Sequence, residues 1–291
     1  MDPVKKSLIT LHLAVVLLGG TGLFSKIIPL NAIDITLGRS LFACLALCLF
    51  VRAGREHLRL ERRLDYFIAV GLGMLMAAHW ATYFASMQYA GVSVGMIAMF
   101  TFPVITVLLE PLFEKTRLAW QDMISALVVV IGIVLIVPEV SLDNDVTLGV
   151  GLGIISAVLY AVRNLSLRKY FSHYSGARSM AWQTLIIVLC LLPFSDLANT
   201  QQDTSVWVLL LALGTVFTAL PHALVANSLA HLRAKTFSLI ACMQPFYGVI
   251  FAIILLNESP GWQTLFGGIL VTSASIYETV KTHKSASATN E

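Results

Sequence analysis

The chain has 291 residues, of which 57% are hydrophobic and only 12% charged. Soluble domains carry about 25% charged residues, so this composition, with a mean hydropathy of +0.82, excludes a soluble domain and places the chain in a bilayer. The net charge of +3 is small, and its distribution along the chain says more than its sum.

Lys5 and Lys6 precede the first apolar run, at about 8–26. A secretory signal starts in the same way, but this run is long and "GGTGLFSK" offers no small-x-small cleavage site, so it reads as a retained first helix. Further apolar stretches follow at about 33–51, 65–89, 92–112, 119–138, 148–169, 176–194, 206–230, 235–256 and 260–280. Stretches of about 20 residues are long enough to cross about 30 Å of hydrocarbon. In lipid they satisfy their own backbone as helices and not as strands. The expected fold class is therefore all-α and integral to the membrane, with ten transmembrane helices. The longest polar stretch, Arg52–Asp65, is a loop, and no large soluble domain fits in what remains. Cys44, Cys48, Cys190 and Cys242 all fall inside apolar segments, which predicts buried, reduced thiols. Cys44 and Cys48 share a helix face, but two thiols without further ligands do not make a metal site.

Positive charge sorts the loops. Lys5 and Lys6 lie at the N-terminus, and Arg52, Arg55, Arg59, Arg62 and Arg63 follow the second helix. Lys115 and Arg117 follow the fourth, Arg168, Lys169 and Arg178 surround the end of the sixth, Arg233 and Lys235 follow the eighth, and Lys281 and Lys284 lie in the tail. With ten crossings all of these fall on one side. The opposite loops carry Asp143, Asp145, Asp196, Asp203 and Glu258. Both termini are thus expected in the cytoplasm. Of the nineteen Lys and Arg, only Lys26, Arg39 and Arg163 are left over.

Two phrases repeat. "FPVITVLLEPLFEKTRLAWQ" and "QPFYGVIFAIILLNESPGWQ" each open on a proline and end on Trp-Gln, and the shift from Pro103 to Pro245 equals that from Trp120 to Trp262, 142 residues. The same shift lays Ala81 on Ala223, Ser86 on Ser228, Val107 on Val249 and Val129 on Val271. Five helices are followed by five more. Because five is odd, the second half starts on the opposite side, which gives two inverted five-helix repeats around a central cavity, as in many secondary transporters. The division expected is a first repeat over 1–140, a second over 141–283 and a short tail over 284–291.

These phrases resemble the EamA family of the drug/metabolite transporter superfamily. The matching pieces are "TFPVITVLLEPLFEKTRLAWQ", "MQPFYGVIFAIILLNESPGWQ", which keeps the family's glutamate as Glu258, and "VLYAVRNLSLRKYF". In the first half Thr116 stands at the position shifted from Glu258. The resemblance covers nearly the whole chain and implies a basket of helices around a cavity lined mainly by helices 1, 3, 4, 6, 8 and 9. It also implies a bacterial inner-membrane protein that exports amino acids or other small metabolites; some members carry sugars or nucleotide sugars.

Several residues could carry transport. Arg163 shares a helix face with Ser156, Tyr160 and Asn164; it reads either as an anchor for a carboxylate or phosphate or as a cation snorkelling to the nearby end. His79, with Tyr83 on its face, and His222, with Thr215 and Thr218, read as proton carriers, as substrate contacts or as packed neutral histidines. Gln244, Pro245 and Tyr247 open helix 9, and Phe102 and Pro103 match them on helix 4. Each proline is expected to free a carbonyl near Met99 or Ala241 and to mark a hinge or a fixed kink. Trp80, Phe102 and Tyr247 are candidates for an apolar pocket wall. Lys26 and Arg39 are assigned to structure or an outer gate, with Asp34 pairing with either or capping helix 2. Glu110 and Glu114 are expected to face Lys115 and Arg117. Gly149, Gly151, Gly153, Gly267 and Gly268 are read as close-packing positions.

There is no P-loop spacing, no metal cluster and no nucleophile–base–acid set, so no cofactor is called for and the chain is not read as an enzyme. The reading is a secondary transporter that exports a small polar or amphiphilic, amino-acid-like metabolite by alternating access. Uncoupled facilitation and a non-transporting scaffold or receptor are the alternatives. The expected partners are a small-molecule substrate and the lipid bilayer, with protons as candidate coupling ion and no nucleic acid. A monomer or weak homodimer is expected.

Overall fold

The computed structural model describes residues 3–113, 118–137, 144–197, 202–229 and 240–288. Among these every regular element is helical. Helix α1 (Pro3–Gly20) passes through a 3-10 turn (Thr21–Leu23) into a short α segment (Phe24–Ile27). Helix α2 is Ala32–Ala53 and α3 is Arg63–Ala90. Helix α4 has two segments, Val92–Met99 and Phe102–Phe113. Helices α5 (Trp120–Ile136), α6 (Asp145–Tyr170) and α7 (Gly176–Leu191) follow. Helix α8 runs as Thr204–Gly214, a π turn at Thr215–Ala219, and Leu220–Leu229. The last two are α9 (Gln244–Leu256) and α10 (Trp262–Ala288). Seven helical stretches are long and apolar enough to cross a membrane, and α5 and α9 are shorter apolar helices. The large apolar side chains left outside, such as Leu49, Phe67, Leu127 and Ile254, are the ones a bilayer would cover.

The structure departs from the predicted continuous helices at Pro103. A helix through 92–112 would need a donor where proline has none; the chain instead ends one segment at Met99 and starts the next at Phe102, placing Pro103 in a first turn, where no N–H is required. Pro245 likewise occupies the first turn of α9. The predicted start of helix 9 at 235, like Arg233, Lys235, Glu114, Lys115, Thr116 and Arg117, lies outside the described residues.

Asp34 pairs with neither Lys26 nor Arg39. Its carboxylate accepts from the Asn31 side chain at 2.7 Å, from the Ser195 hydroxyl and from the Asp196 N–H at 3.2 Å, while Asn31 caps α2 through the Asp34 N–H at 2.9 Å. Glu110 pairs with Arg168 at 2.5 Å, and Lys169 donates to the Phe113 carbonyl at 2.7 Å, so α6 holds the end of α4. Trp120 and Trp262 open α5 and α10, each 69% exposed, as residues at a membrane interface are.

Packing follows the halves. Exchanging α1–α5 for α6–α10 turns the α3–α6 contact into α8–α1, α4–α6 into α9–α1 and α3–α7 into α8–α2, and leaves α2–α7 and α5–α10 as themselves; all of these contacts occur. Small residues let the backbones approach. A Cβ on Gly149 would lie 2.5 Å from the Ala90 Cβ, and one on Gly267 would lie 2.5 Å from the Gly132 carbonyl. Gly153 and Gly268 are similarly crowded. Gly151, expected among them, meets nothing within 4 Å, because it faces away from the neighbouring helices.

The α3–α7 seam gives a matched test. A Cβ on Gly73 of α3 would lie 2.4 Å from the Cβ of Ile186 on α7, and a β-branched side chain cannot swing that atom away, whereas Gly71 has nothing within 4 Å. Gly73→Ala should destabilise the detergent-solubilised protein by about 1–3 kcal/mol, the range for overpacking. Gly71→Ala should leave it unchanged or slightly more stable. Thermal unfolding of the two variants against the parent checks this, and equal midpoints would show that α3 and α7 do not pack this way.

Candidate functional site

A cavity of about 290 Å³ lies between the helices. Its wall is built from both halves: Leu18 and Thr21 of α1, Arg39 of α2, four residues of α3, Met99 to Pro103 of α4, Tyr160 and Asn164 of α6, His222 and Val225 of α8, and the entry to α9 through Gln244. Helices α5, α7 and α10 contribute nothing to it among the described residues.

The α3 face follows from helical spacing: Met76, His79, Trp80 and Tyr83 lie three to four residues apart and so point the same way. His79 is tied to α6. Its Nδ1 lies 2.8 Å from the Ser156 Oγ and 3.0 Å from the Ser156 carbonyl, and the Ser156 hydroxyl donates to the His79 carbonyl at 3.0 Å. A carbonyl only accepts, so Nδ1 carries the proton and Nε2 is the ring's acceptor. His222 repeats the arrangement on its own helix, with Nδ1 2.6 Å from the Thr218 carbonyl. The His79 ring stacks on Tyr160 at 4.6 Å, and Phe102 meets Tyr160 edge-on at 4.8 Å. The wall is therefore mainly aromatic and apolar, with a few placed polar groups, the general character of a small-molecule site.

Arg39, assigned from the sequence to structure or an outer gate, lines this cavity. Its side chain crosses from α2 toward α3 and α8: Nη2 donates to the Thr218 hydroxyl at 2.9 Å, and Cζ lies 4.0 Å from the centre of the Trp80 ring. The signal was in the sequence, a lone cation in "ITLGRSLFACL", but its direction was not.

Arg163 does not line the cavity. Its guanidinium turns toward α7, where Nε donates to the Gln183 Oε1 at 2.7 Å, Nη1 to the Asn164 Oδ1 at 2.8 Å and Nη2 to the Met180 Sδ at 3.4 Å. Gln183 is itself fixed by donating to the Ser179 carbonyl and hydroxyl at 3.0 and 2.9 Å. Asn164, which does line the cavity, is oriented by this arginine.

The structure thus brings together His79, Trp80, Tyr83, Phe102, Pro103, Tyr160, Asn164, His222, Gln244 and Arg39. It leaves out Arg163, Pro245, Tyr247 and Lys26. Tyr247 packs on α1, where a Cβ on Gly19 would lie 2.8 Å from its own, so it braces α9 and forms no part of the wall. Lys26 donates to the Gln88 carbonyl at 2.7 Å and borders a separate surface hollow with Gly91 and Glu258. Sequence reasoning missed Leu18, Thr21, Met76, Met99, Phe100, Val225, Ala241 and Cys242, which, Thr21 apart, look like any other apolar membrane residue.

Glu258 joins the halves. Its carboxylate accepts from the Val92 N–H at 2.7 Å, the Ser93 N–H at 3.1 Å and the Ser93 hydroxyl at 2.7 Å, so an acid from the turn after α9 caps the N-terminus of α4. Gly91, at φ +88°, makes the turn that presents these donors, and a Cβ there would stand 3.2 Å from the Glu258 oxygen.

Comparison with known proteins bears on the whole chain. The EamA-like transporter family matches it twice, over residues 5–137 and 147–277. An uncharacterized transporter, YxxF, of Bacillus subtilis (strain 168) is 24% identical over 98% of this chain and 93% of its own length. The threonine/homoserine exporter RhtA of Escherichia coli (strain K12) is 26% identical over 90% of this chain and 88% of its own. A solved crystal structure, 14% identical, superposes with a TM-score of 0.61 over 94% of this chain and 98% of its own; it shares the fold.

The Arg163 network predicts a structural phenotype. Arg163→Ala strands the Gln183 side chain in a buried position, at a cost of about 1–3 kcal/mol for an unpaired polar group. The variant should unfold at a lower temperature than the parent, and Arg163→Lys should not restore it, since an ammonium lacks the planar fork that reaches Gln183 and Asn164 together. Thermal unfolding of both variants decides; an unshifted midpoint for Arg163→Ala would remove the network from the stability of the fold.

Proposed function

The chain belongs to the EamA-like transporter family, and from this premise we propose that it is a secondary transporter that exports a small polar or amphiphilic metabolite by alternating access. It is a multi-pass membrane protein. The observation that carries the proposal is the buried cavity, bounded by residues of both halves and lying where α4 breaks and α9 begins. Transporter sites are characteristically built at such helix breaks between repeats. In this reading the repeats are inverted over 1–140 and 141–283, the helices number ten, and the membrane is the bacterial inner membrane. The Arg- and Lys-rich loops, with both termini, then face the cytoplasm.

The name of one relative prints threonine and homoserine as its cargo, which makes amino-acid-like compounds the first to test. Cells expressing the chain, in a background that does not export these compounds, should release more of at least one member of an amino-acid-like panel than cells with empty vector. Ala241→Phe, which puts a ring into the cavity, should abolish the release at equal membrane abundance. Identical release from all three strains across the panel would remove export from the reading.

Protons are the coupling ion this reading names, because His79 and His222 both border the cavity with Nε2 left as acceptor. In proteoliposomes an imposed pH gradient should drive accumulation by the wild type, and His79→Gln and His222→Gln should lose that dependence. Mere equilibration of substrate by the wild type, unaffected by the gradient, would identify an uncoupled facilitator.

A further inference from the structure

We propose that the cavity binds a small organic anion, with the Arg39 guanidinium and the Tyr83 hydroxyl taking its carboxylate and the Trp80, Phe102 and Tyr160 rings taking an apolar body. The inference rests on the transport reading and narrows it to a substrate class.

Two polar groups in the wall are buried and incomplete. Arg39 is 2% exposed; its Nη2 has the Thr218 hydroxyl, but its Nε has no hydrogen-bond partner. Tyr83 is 4% exposed, and its hydroxyl also has none. Folded proteins leave few buried polar groups unpaired, and both of these border the same cavity. A guanidinium and a phenol together offer donors, which suit an acceptor-rich ligand.

The charges around the cavity agree. No Asp or Glu lines it among the described residues. Asp34, the acid closest to Arg39 on α2, is occupied by Asn31, Ser195 and the Asp196 N–H. Arg163, just behind the wall, is held by Gln183, Asn164 and Met180, all neutral. Two buried guanidinium groups thus stand without a carboxylate partner, and a charge in a low-dielectric interior is costly until it is paired. The backbone adds the same sign. The second segment of α4, twelve residues, and α9, thirteen residues, both begin at the cavity, with Phe102, Pro103 and Gln244 in its wall, and helix N-termini carry positive partial charge.

An ammonium group would find neutral acceptors, such as the Nε2 atoms of His79 and His222, but no opposite charge. There is no acid to pair with it among the lining residues, and the Trp80 face that could receive a cation already has Arg39 4.0 Å above it. The volume, about 290 Å³, admits one small molecule and not a chain of sugars.

Calorimetric titration of the full chain in detergent tests this with three probes of one shape: 3-phenylpropanoate, 3-phenylpropanamide and 2-phenylethylamine. The carboxylate should bind at least tenfold more tightly than the amide or the amine, and Arg39→Gln should abolish that preference. If Arg39→Gln does not fold, Tyr83→Phe, which removes one oxygen, should weaken carboxylate binding about tenfold while leaving amide binding unchanged. Equal binding of carboxylate and amide, preference for the amine, undiminished carboxylate binding in the variants, or no binding of any probe would each overturn the proposal. These are binding measurements, so they separate from export. A chain that exports metabolites but does not prefer the carboxylate keeps the transport reading and loses this one. Arg39-dependent carboxylate binding without export does the reverse.

Discussion

In hydrocarbon a backbone N–H or C=O has no water to turn to, so every interruption of a helix must be repaired by a protein group. Around the cavity three helices, α1, α4 and α8, are irregular, and hydroxyl groups meet each irregularity. Where α4 breaks, the Thr101 hydroxyl donates to the Ala98 carbonyl at 2.8 Å, and Ser275 of α10 donates to the Phe100 carbonyl at 2.9 Å. Where α8 widens into its π turn, the Thr218 hydroxyl takes the Leu213 carbonyl at 2.7 Å, and Thr21, at the 3-10 turn of α1, reaches the Phe217 carbonyl at 3.3 Å. The last of these crosses between helices: a hydroxyl from the 3-10 turn of α1 satisfies a carbonyl in the π turn of α8. Helix α9 begins at the cavity, with Pro245 in its first turn. Helices α3 and α6 run unbroken and form the long seam against which the others are set.

The two ends of the bundle are tied by different chemistry, and nearly all of the ties cross between halves. At the end with the acidic loops, Asp34 of α2 holds Ser195 and the Asp196 N–H, and Glu258 caps α4. At the basic end, the Tyr174 hydroxyl donates to Asp65 at 2.6 Å, the Trp182 indole to the Leu58 carbonyl at 2.7 Å, and Arg168 pairs with Glu110. Burial, together with the bond to Asp65, holds the Tyr174 phenol above its ordinary range, so this tie persists as a neutral donor on a carboxylate. Between these sets lies an aromatic wall with few hydrogen bonds.

Composition and periodicity were enough to read helices, a membrane and the doubled phrase, because lipid allows few other solutions. The Pro103 register even marked where α4 divides into two segments. What the sequence could not show was direction. Arg39 and Arg163 look alike on paper, each a single cation in an apolar run. Arg163 faces an amide on α7 and Arg39 an indole on α3. Long-range partners were equally hidden. Glu258 stood out as a motif residue, but the N–H groups it caps lie 166 and 165 residues away, and Asp34 meets Ser195 across 161. Spacing rules reach one turn of helix; these contacts depend on how the halves interlock.

The contrast between the two buried arginines has a physical meaning. A guanidinium in a membrane interior is tolerated when its surroundings replace water. Around Arg163 they do so fully: an amide carbonyl on one nitrogen, a second amide on the next, a thioether on the third, with Ser179 locking the first amide in place. Such a set gives every nitrogen a partner, ties α6 to α7 and lies behind the cavity wall. Around Arg39 the replacement stops short. One hydroxyl and an aromatic face are supplied, and an edge of the fork is left open beside a phenol that is also unpaired. A group needed only for stability would be completed by its neighbours, as Arg163 is. Violations of that rule concentrate where function requires an unspent partner; Arg178 Nε, near the basic loops, is one outside the cavity, whereas Arg39 and Tyr83 bring two together on its wall.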